Sequence, residues 1–535
     1  MNKKNLSIST SGLALVATTL YLLYDKINKP PQSTRHIPYI GFFKFMSAII
    51  RKEPIYNVTK EMTFPLSFTT ESGLYSRFDH DGWRIVVNNP ILAKKVMFDS
   101  EFTKTALGDF WAGTILGRFI IGPNIFCTTG SQWKKQRKIA NPAFRQSMPL
   151  PLFGRLTEKL FKVIDSSFLT KNEDLDDTIK IDIHSLMKRW TLDALGNASF
   201  GFDFGSIEDS DNEWVRRFKT VLNACEDPLF ALLPFLERNY LDYFPKRKQI
   251  HEELTRFLDM MQEIIDKKRD KIIQQQQLES HDKKEKNIQG SSSSANYTDK
   301  DLLTLMIENQ LQQQNEEKND VLSDEELKVS IHKSIDNIQF SGNETTAAAI
   351  SFMVYYLAKH PEIQERAREE AISVLGKEPY DITPTIEQTQ KLTLRINGPA
   401  EALTPRTTTK DTELGGVFIP KGTNVIVSLY ELHRNPRFWH DPDTFDPERF
   451  APGIQQQHNV DKEKRELYAP FSSGSRVCIG KNLTLAQQRL FLPMLLRKYR
   501  WELPEGSAHS ERVITAVTMD VVHPVDLEIN FKRRY

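Results

Sequence analysis

Ten residues near the C-terminal end, Phe471-Ser-Ser-Gly-Ser-Arg-Val-Cys-Ile-Gly480, have the makings of a thiolate ligand site. Cys478 precedes a stretch with helical patterning, Lys481–Tyr499, so it stands at a helix mouth. Free backbone N–H groups and the helix dipole favour an anionic sulfur there. Gly474 and Gly480 allow a tight turn and the close approach of a flat group, and Arg476 adds a cation. A lone cysteine is more often an inert buried thiol. Here five residue types stand at fixed spacing, which at average usage is a chance event on the order of one in ten thousand for one chain.

A second stretch breaks a local rule. Ser323-Asp-Glu-Glu326 is a capping box, and it predicts a helix of about thirty-six residues that ends at His360-Pro361. Midway, Phe340-Ser-Gly-Asn-Glu-Thr-Thr346 places a glycine and two threonines, all of which weaken a helix. The pattern reads either as a tolerated kink or as a groove where a ligand meets the backbone.

The elements that must position these residues are mostly helical. Apolar residues recur at helical spacing over Leu152–Ser167, Ile183–Ser199, Trp214–Cys225 and Ile250–Gln274. Trp83-Arg-Ile-Val-Val-Asn88 predicts a strand. A glutamine run at 274–277 and the charged, serine-rich stretch His281–Thr298 read as a disordered loop over about 274–298, since they offer no apolar face to bury. Helical patterning resumes at Asp301–Met306.

The bulk numbers bound the function. The 535 residues suggest three domains on length alone. A formal charge of +1, from 71 basic and 70 acidic side chains, gives no basic excess for nucleic acid. Three scattered cysteines, Cys127, Cys225 and Cys478, argue against a disulfide scaffold and for a reducing compartment. No Cys-x-x-Cys, His-Glu-x-x-His or phosphate-binding glycine loop is present. Leu6–Tyr24 carries no charge, and as a helix of roughly 28 Å it is just long enough for a bilayer core. It lacks a small-residue cleavage pattern, which favours an uncleaved anchor over a signal peptide. Lys26, Lys29 and Arg35 follow it, favouring a cytoplasmic body.

The ten-residue loop resembles the haem-thiolate loop of the cytochrome P-450 monooxygenases, and the likeness extends over about residues 35–535. Ser341–Thr346 resembles the oxygen-activation segment of the family's long central helix. Trp133-Lys-Lys-Gln-Arg137 resembles its tryptophan–arginine haem contact, Phe445–Phe450 the segment before the haem loop, and Gly416–Gly422 a strand turn. The resemblance implies a mainly α fold with a small β part: an anchor over 1–28 and one large haem domain over 29–535, which replaces the three-domain expectation. It implies haem b with Cys478 as the iron ligand. Trp133, Arg137, Arg406 and Arg476 are the implied propionate contacts, and Phe471 and Gly480 the implied loop contacts. Glu344 and Thr345 resemble the acid–alcohol pair that relays protons.

The implied activity is insertion of one oxygen atom from O2 into a lipophilic small molecule. NADPH electrons would arrive from a reductase, or in part from a cytochrome b-type donor, at the endoplasmic reticulum membrane. Lys134, Lys135 and Lys138 are suited to face water or an acidic electron donor. Phe110 and Trp111, within Ala106–Ile121, are candidates for the substrate pocket, against the commoner role of core aromatics. The sequons at Asn343 and Asn482 fall inside the haem-site text and speak against a glycosylated, lumenal body.

Three departures stand out. Ser341 replaces the family's alanine or glycine, and Gln487 stands where many relatives have glutamate. In Gln390-Lys-Leu-Thr-Leu-Arg-Ile-Asn-Gly-Pro399, Leu392 stands where the family has the glutamate that pairs with the arginine here numbered Arg395. That arginine pair also meets a second arginine, here Arg449. The nearest upstream acid, Glu387, is eight residues back, roughly 12 Å along a helix. The text between Thr393 and Leu394 reads as about eight to ten residues short. Two alternatives follow: an impaired or vestigial haem protein, on this departure, and a reductase-independent haem-thiolate isomerase or dehydratase, which Glu344-Thr345 disfavours.

Overall fold

The structure, a computed structural model, describes residues 18–19, 21–22, 24–79, 82–106, 108–121, 124–146, 149–169, 178–225, 227–285, 300–315, 324–377, 398–447 and 468–535. The chain forms two compact units. The smaller comprises residues 1–105, 401–443 and 460–469; the larger comprises 106–400, 444–459 and 470–535.

The smaller unit is built on a five-stranded sheet. Tyr75–Asp79 pairs antiparallel with Gly82–Val87, which runs parallel to Asn424–Val427. Arg406–Thr408 then pairs antiparallel with both Asn424–Val427 and Phe102–Lys104. The expected strand at Trp83–Asn88 is thus present, and its Ile85, Val86 and Val87 are all buried, as a strand covered on both faces requires. The buried Glu431 accepts from Tyr75 Oη at 2.6 Å and Asn88 Nδ2 at 2.9 Å. Arg77 pairs with Glu401 at 2.9 Å.

The larger unit is helical. Its centre is the antiparallel packing of the helix Ile183–Phe200 on the central helix Asp324–Lys359. Ile183–Phe200 is buried nearly all round, as a helix inside a large core must be. Asp182 caps its start by accepting from Ser185 N–H, and Gly201, at φ 63°, turns the chain out of it. Trp190 packs between Phe153 and Phe491 at 6.4 and 4.9 Å between ring centroids, joining the helices Leu150–Leu169 and Lys481–Lys498 to this core. A hairpin, Thr515–Thr518 with Val521–Pro524, lies on the central helix. Its two turn residues, Met519 and Asp520, both have positive φ, the geometry that matches the twist of a two-residue hairpin loop.

The central helix has the expected bounds, and the glycine and threonines within it do not interrupt it. Gly342 packs against the helix Ile183–Phe200. A Cβ there would stand 3.1 Å from Leu195 Cδ1, tighter than an ordinary contact, so Leu195 would have to shift by a few tenths of an ångström to admit one.

One boundary is corrected. The loop expected from about 274 begins later, because the helix Pro245–Glu285 runs through the glutamine run. Gln, Leu, Glu and Lys are good helix formers and continue a helix without an apolar face to bury. Residues 286–299 lie outside the described residues, as do Glu387, Leu392, Arg395 and Arg449. Most of Leu6–Tyr24 does as well; among the described residues no helix is long and apolar enough to cross a membrane. The end of the Arg395 segment is described. A Cβ on Gly398 would stand 2.9 Å from Pro470 Cβ, and Pro399 O accepts from Val522 N–H at 2.7 Å.

Glu237 ties three elements of the larger unit together. It accepts from Ile115 N–H at 2.9 Å, Arg247 Nε at 3.0 Å and His251 Nε2 at 2.7 Å. Burial pushes its carboxyl up, but the bonds from His251 and Arg247 outweigh that and hold it below the usual range. Glu237→Ala leaves Arg247 buried without its carboxylate, so it is expected to cost about 3–5 kcal/mol at pH 7 in denaturant unfolding. A depressed carboxyl contributes its stability above its unfolded-state value, and that contribution is lost as pH falls through the folded-state value. The gap between variant and parent should therefore narrow below pH 4.5.

Candidate active site

Cys478 is held by its own loop. A 3-10 turn, Gly474–Arg476, precedes it, with Gly474 at φ 73°. Its N–H donates to Phe471 O at 2.9 Å, closing the loop on itself. Gly480 then occupies the N-cap of the helix Lys481–Lys498, so the expected helix mouth is present. The amides of Gly480 and Lys481 point at the sulfur. Burial pushes the Cys478 thiol up, and it wins over the lowering effects of those two amides and of Arg137 and Lys481.

Two cations converge on the loop. Arg137 Nη2 donates to Val477 O at 3.0 Å. Arg476 Nη2 donates to Thr128 O at 3.1 Å, and its guanidinium lies 3.8 Å from the centroid of the Trp133 ring. Trp133 and Arg137 share the helix Gly130–Gln146, one turn apart, and both face the cysteine loop. Lys134 and Lys138 are exposed on the same helix. Desolvation lowers the pKa of Arg137, whereas the cysteine would raise it.

The oxygen-segment residues lie on the central helix. Asn343, Glu344 and Thr346 are buried, but Gly342 and Thr345, three apart on one face, are only half-buried. Thr346 Oγ1 meets Thr484 Oγ1 at 3.3 Å, which ties this segment to the helix that Cys478 opens. Glu344 is 2% exposed and forms an ion pair through Oε2 with Lys188 Nζ at 2.9 Å.

The larger unit thus brings together Cys478, Phe471, Gly480, Arg137, Arg476 and Trp133 directly, with Glu344 and Thr345 on the neighbouring helix. Arg406 belongs to the smaller unit, on the strand Arg406–Thr408, where burial lowers its pKa. Phe110 and Trp111 stack edge-on at 5.0 Å, and Trp111 is buried. The buried Gln487 has no hydrogen-bond partner for its amide among the described residues. Reading the sequence missed Lys188 and Thr484. Nothing local marks either one, because their partners lie more than a hundred residues away.

The site fits a haem-thiolate group. Cys478 counts as exposed by surface area, yet protein encloses it closely enough for burial to dominate its titration. An ideal Cβ on Gly480 would meet nothing within 4 Å, so the backbone beside the cysteine is open to the close approach of a flat group. Arg137 and Arg476 place two cations at the loop, and these would suit two carboxylates of a flat macrocycle.

A family model described as cytochrome P-450 matches residues 82–529. Among curated proteins, the chain is 28% identical over 404 residues to probable cytochrome P-450 4s3 of Drosophila melanogaster, covering 74% of each. It is 26% identical over 439 residues to cytochrome P-450 3A6 of Oryctolagus cuniculus, covering 76% of this chain and 77% of the relative. It is 28% identical over 436 residues to cytochrome P-450 3A5 of Homo sapiens, covering 77% of each. Among solved structures, the haem domain of cytochrome P-450DA aligns with a TM-score of 0.67 at 20% identity, over 93% of this chain and 98% of that one.

The Glu344–Lys188 pair can be tested alone. Lys188→Met strands a buried carboxylate and is expected to cost about 1–3 kcal/mol, less than a fully buried pair because Lys188 is partly exposed. Adding Glu344→Gln should recover most of that loss in a double-mutant cycle by thermal unfolding. Additive effects would mean that the two side chains do not pair.

Proposed function

The chain belongs to the cytochrome P-450 family, and on that premise we propose that it inserts one oxygen atom of O2 into a lipophilic small molecule, using NADPH electrons from a membrane reductase. The observation that carries this reading is the Cys478 thiol: enclosed by protein, met by the Gly480 and Lys481 amides, and beside the Arg137 and Lys481 cations. Bound haem supplies the redox chemistry, and a thiolate ligand favours O–O cleavage.

The residues divide the work. Cys478 holds the iron, with the Gly480 and Lys481 amides orienting its sulfur. Arg137, Arg476 and Trp133 bind the propionates, and Arg406 is assigned to the same task by its match to the family pattern. Phe471 and Gly480 shape the loop around the cofactor. Thr345 holds a proton donor at the half-buried face of the central helix, and Glu344 resupplies it. The exposed Lys134 and Lys138, beside the site, suit an acidic electron donor. The uncharged Leu6–Tyr24 and the basic residues after it support an endoplasmic reticulum anchor with a cytoplasmic body. Glu344, buried and paired with a lysine that reaches solvent, supports a reaction that consumes protons over a reductase-independent isomerisation. Leu392 supports the impaired reading, which haem content per purified chain distinguishes from the active one.

Two variants test the assignment. Cys478→Ala should abolish the thiolate-type Soret band of the reduced, carbon monoxide-treated protein. Cys127→Ala and Cys225→Ala, both in buried positions, should keep it. Retention of the band in Cys478→Ala would overturn the ligand assignment. Thr345→Ala should keep haem and divert electrons to peroxide, lowering product formed per NADPH consumed; an unchanged ratio would count against the proton role.

A further inference from the structure

A guanidinium that is to meet a carboxylate must be held in one place, and arginine has many rotamers to lose. Two contacts fix Arg476. Its plane lies 3.8 Å from the centroid of the Trp133 ring, and its Nη2 donates to Thr128 O at 3.1 Å. The second contact is only as well aimed as the Thr128 carbonyl. Thr128 stands between a turn and the start of the helix Gly130–Gln146, outside regular secondary structure. No helical or sheet ladder sets the direction of that carbonyl, so neighbouring groups must.

Three buried polar side chains meet there: Asn124 at 0% exposure, Gln136 at 4% and Thr128 at 7%. Asn124 builds the turn. Its Nδ2 donates to Ile120 O at 2.8 Å, and its Oδ1 accepts from the Phe126 and Cys127 N–H groups, each at 2.9 Å. Its carbonyl accepts from Thr128 N–H at 2.9 Å. Thr128 Oγ1 then lies 2.7 Å from Asn124 O and 2.8 Å from Gln136 Oε1, so its one hydrogen is shared between the turn and the helix. Gln136 follows Trp133 by three residues and precedes Arg137 by one, on the helix face they share. Burying an amide there costs hydration and rotamer freedom that a leucine of similar size would not lose. The bond that offsets this cost ends on the residue whose carbonyl receives Arg476.

We propose that Gln136 is a positioning residue for the cofactor. By holding Thr128 against the turn, it aims Thr128 O and so sets the Arg476 guanidinium on the Trp133 ring, ready for a haem carboxylate. This rests on the haem reading above and deepens it. Gln136 acts on the cofactor only through Thr128 and Arg476. Its effect therefore depends on the negative charge that Arg476 meets, and it vanishes when that charge is removed. The gain is preorganisation: an arginine already fixed loses little freedom when the ligand arrives.

The test follows haem loss from the full chain to excess apomyoglobin. It uses haem and, in parallel, haem dimethyl ester, whose carboxyl groups carry no charge. Gln136→Met keeps the side-chain length and removes the acceptor. Thr128→Val keeps the shape and removes the hydroxyl, whereas Thr128→Ser retains it. Gln136→Met and Thr128→Val should each lose haem about fivefold faster than the parent, the effect of one hydrogen bond. The double variant should be no faster than either, and Thr128→Ser should match the parent. With the dimethyl ester, every variant should match the parent's rate for that ligand. Parental haem loss in Gln136→Met overturns the proposal. Equal acceleration with haem and ester also overturns it, since that marks a general loosening of the helix. Additive effects in the double variant overturn the route through Thr128, and the proposal with it. Should Gln136→Met fail to fold, the Thr128 pair decides: equal rates in Thr128→Val and Thr128→Ser overturn the proposal. A parent chain that takes up neither haem nor its ester sinks the cofactor reading itself, and this inference falls with it.

Discussion

The close approach of two antiparallel helices governs the larger unit. Gly342 lies in it, where an added Cβ would press on the Leu195 side chain. Along that contact, polar residues pair in register. Asn343 meets Thr191, Glu344 meets Lys188, and Ser351 meets His184. Each contact places a hydrogen-bonding group inside a core where an unmatched one is expensive. A shift of one residue between the helices would break all three. The segment carrying Glu344 and Thr345 is therefore held by its neighbours more than by its own helix propensity, which is poor.

A second constraint is the environment of Cys478. Enclosure raises its thiol pKa, while amides and cations oppose that. In water, such cations would be screened; in an enclosed site each counts for more. The loop gathers these groups with few residues because its chain turns at Gly474 and opens into a helix at Gly480.

The two constraints meet at Thr346 and Thr484, which join the central helix to the helix that follows Cys478. Behind the first helix, the His184–His523 stack brings a hairpin near the C-terminus into the same cluster. The polar chemistry of this unit thus forms one band running from the cysteine loop, through the central helix, to a partly exposed lysine.

By itself, the sequence determined what local interactions decide. The capping box and the proline after His360 bounded the central helix, because caps and prolines act within a turn. The glycine–arginine–cysteine spacing marked a tight turn at a helix mouth, and Trp133 with Arg137 marked a shared helix face. The helix through 274–285 was misread as loop, because helix propensity there has no apolar stripe to announce it. Only the tertiary structure decided which distant groups meet. Lys188 as the partner of Glu344, Leu195 as the neighbour of Gly342, Pro470 as the neighbour of Gly398 and His523 stacked on His184 all depend on packing. Charge, hydrogen bonding and van der Waals contact act over a few ångströms in space. Residues more than a hundred positions apart acquire them only when the core brings them together.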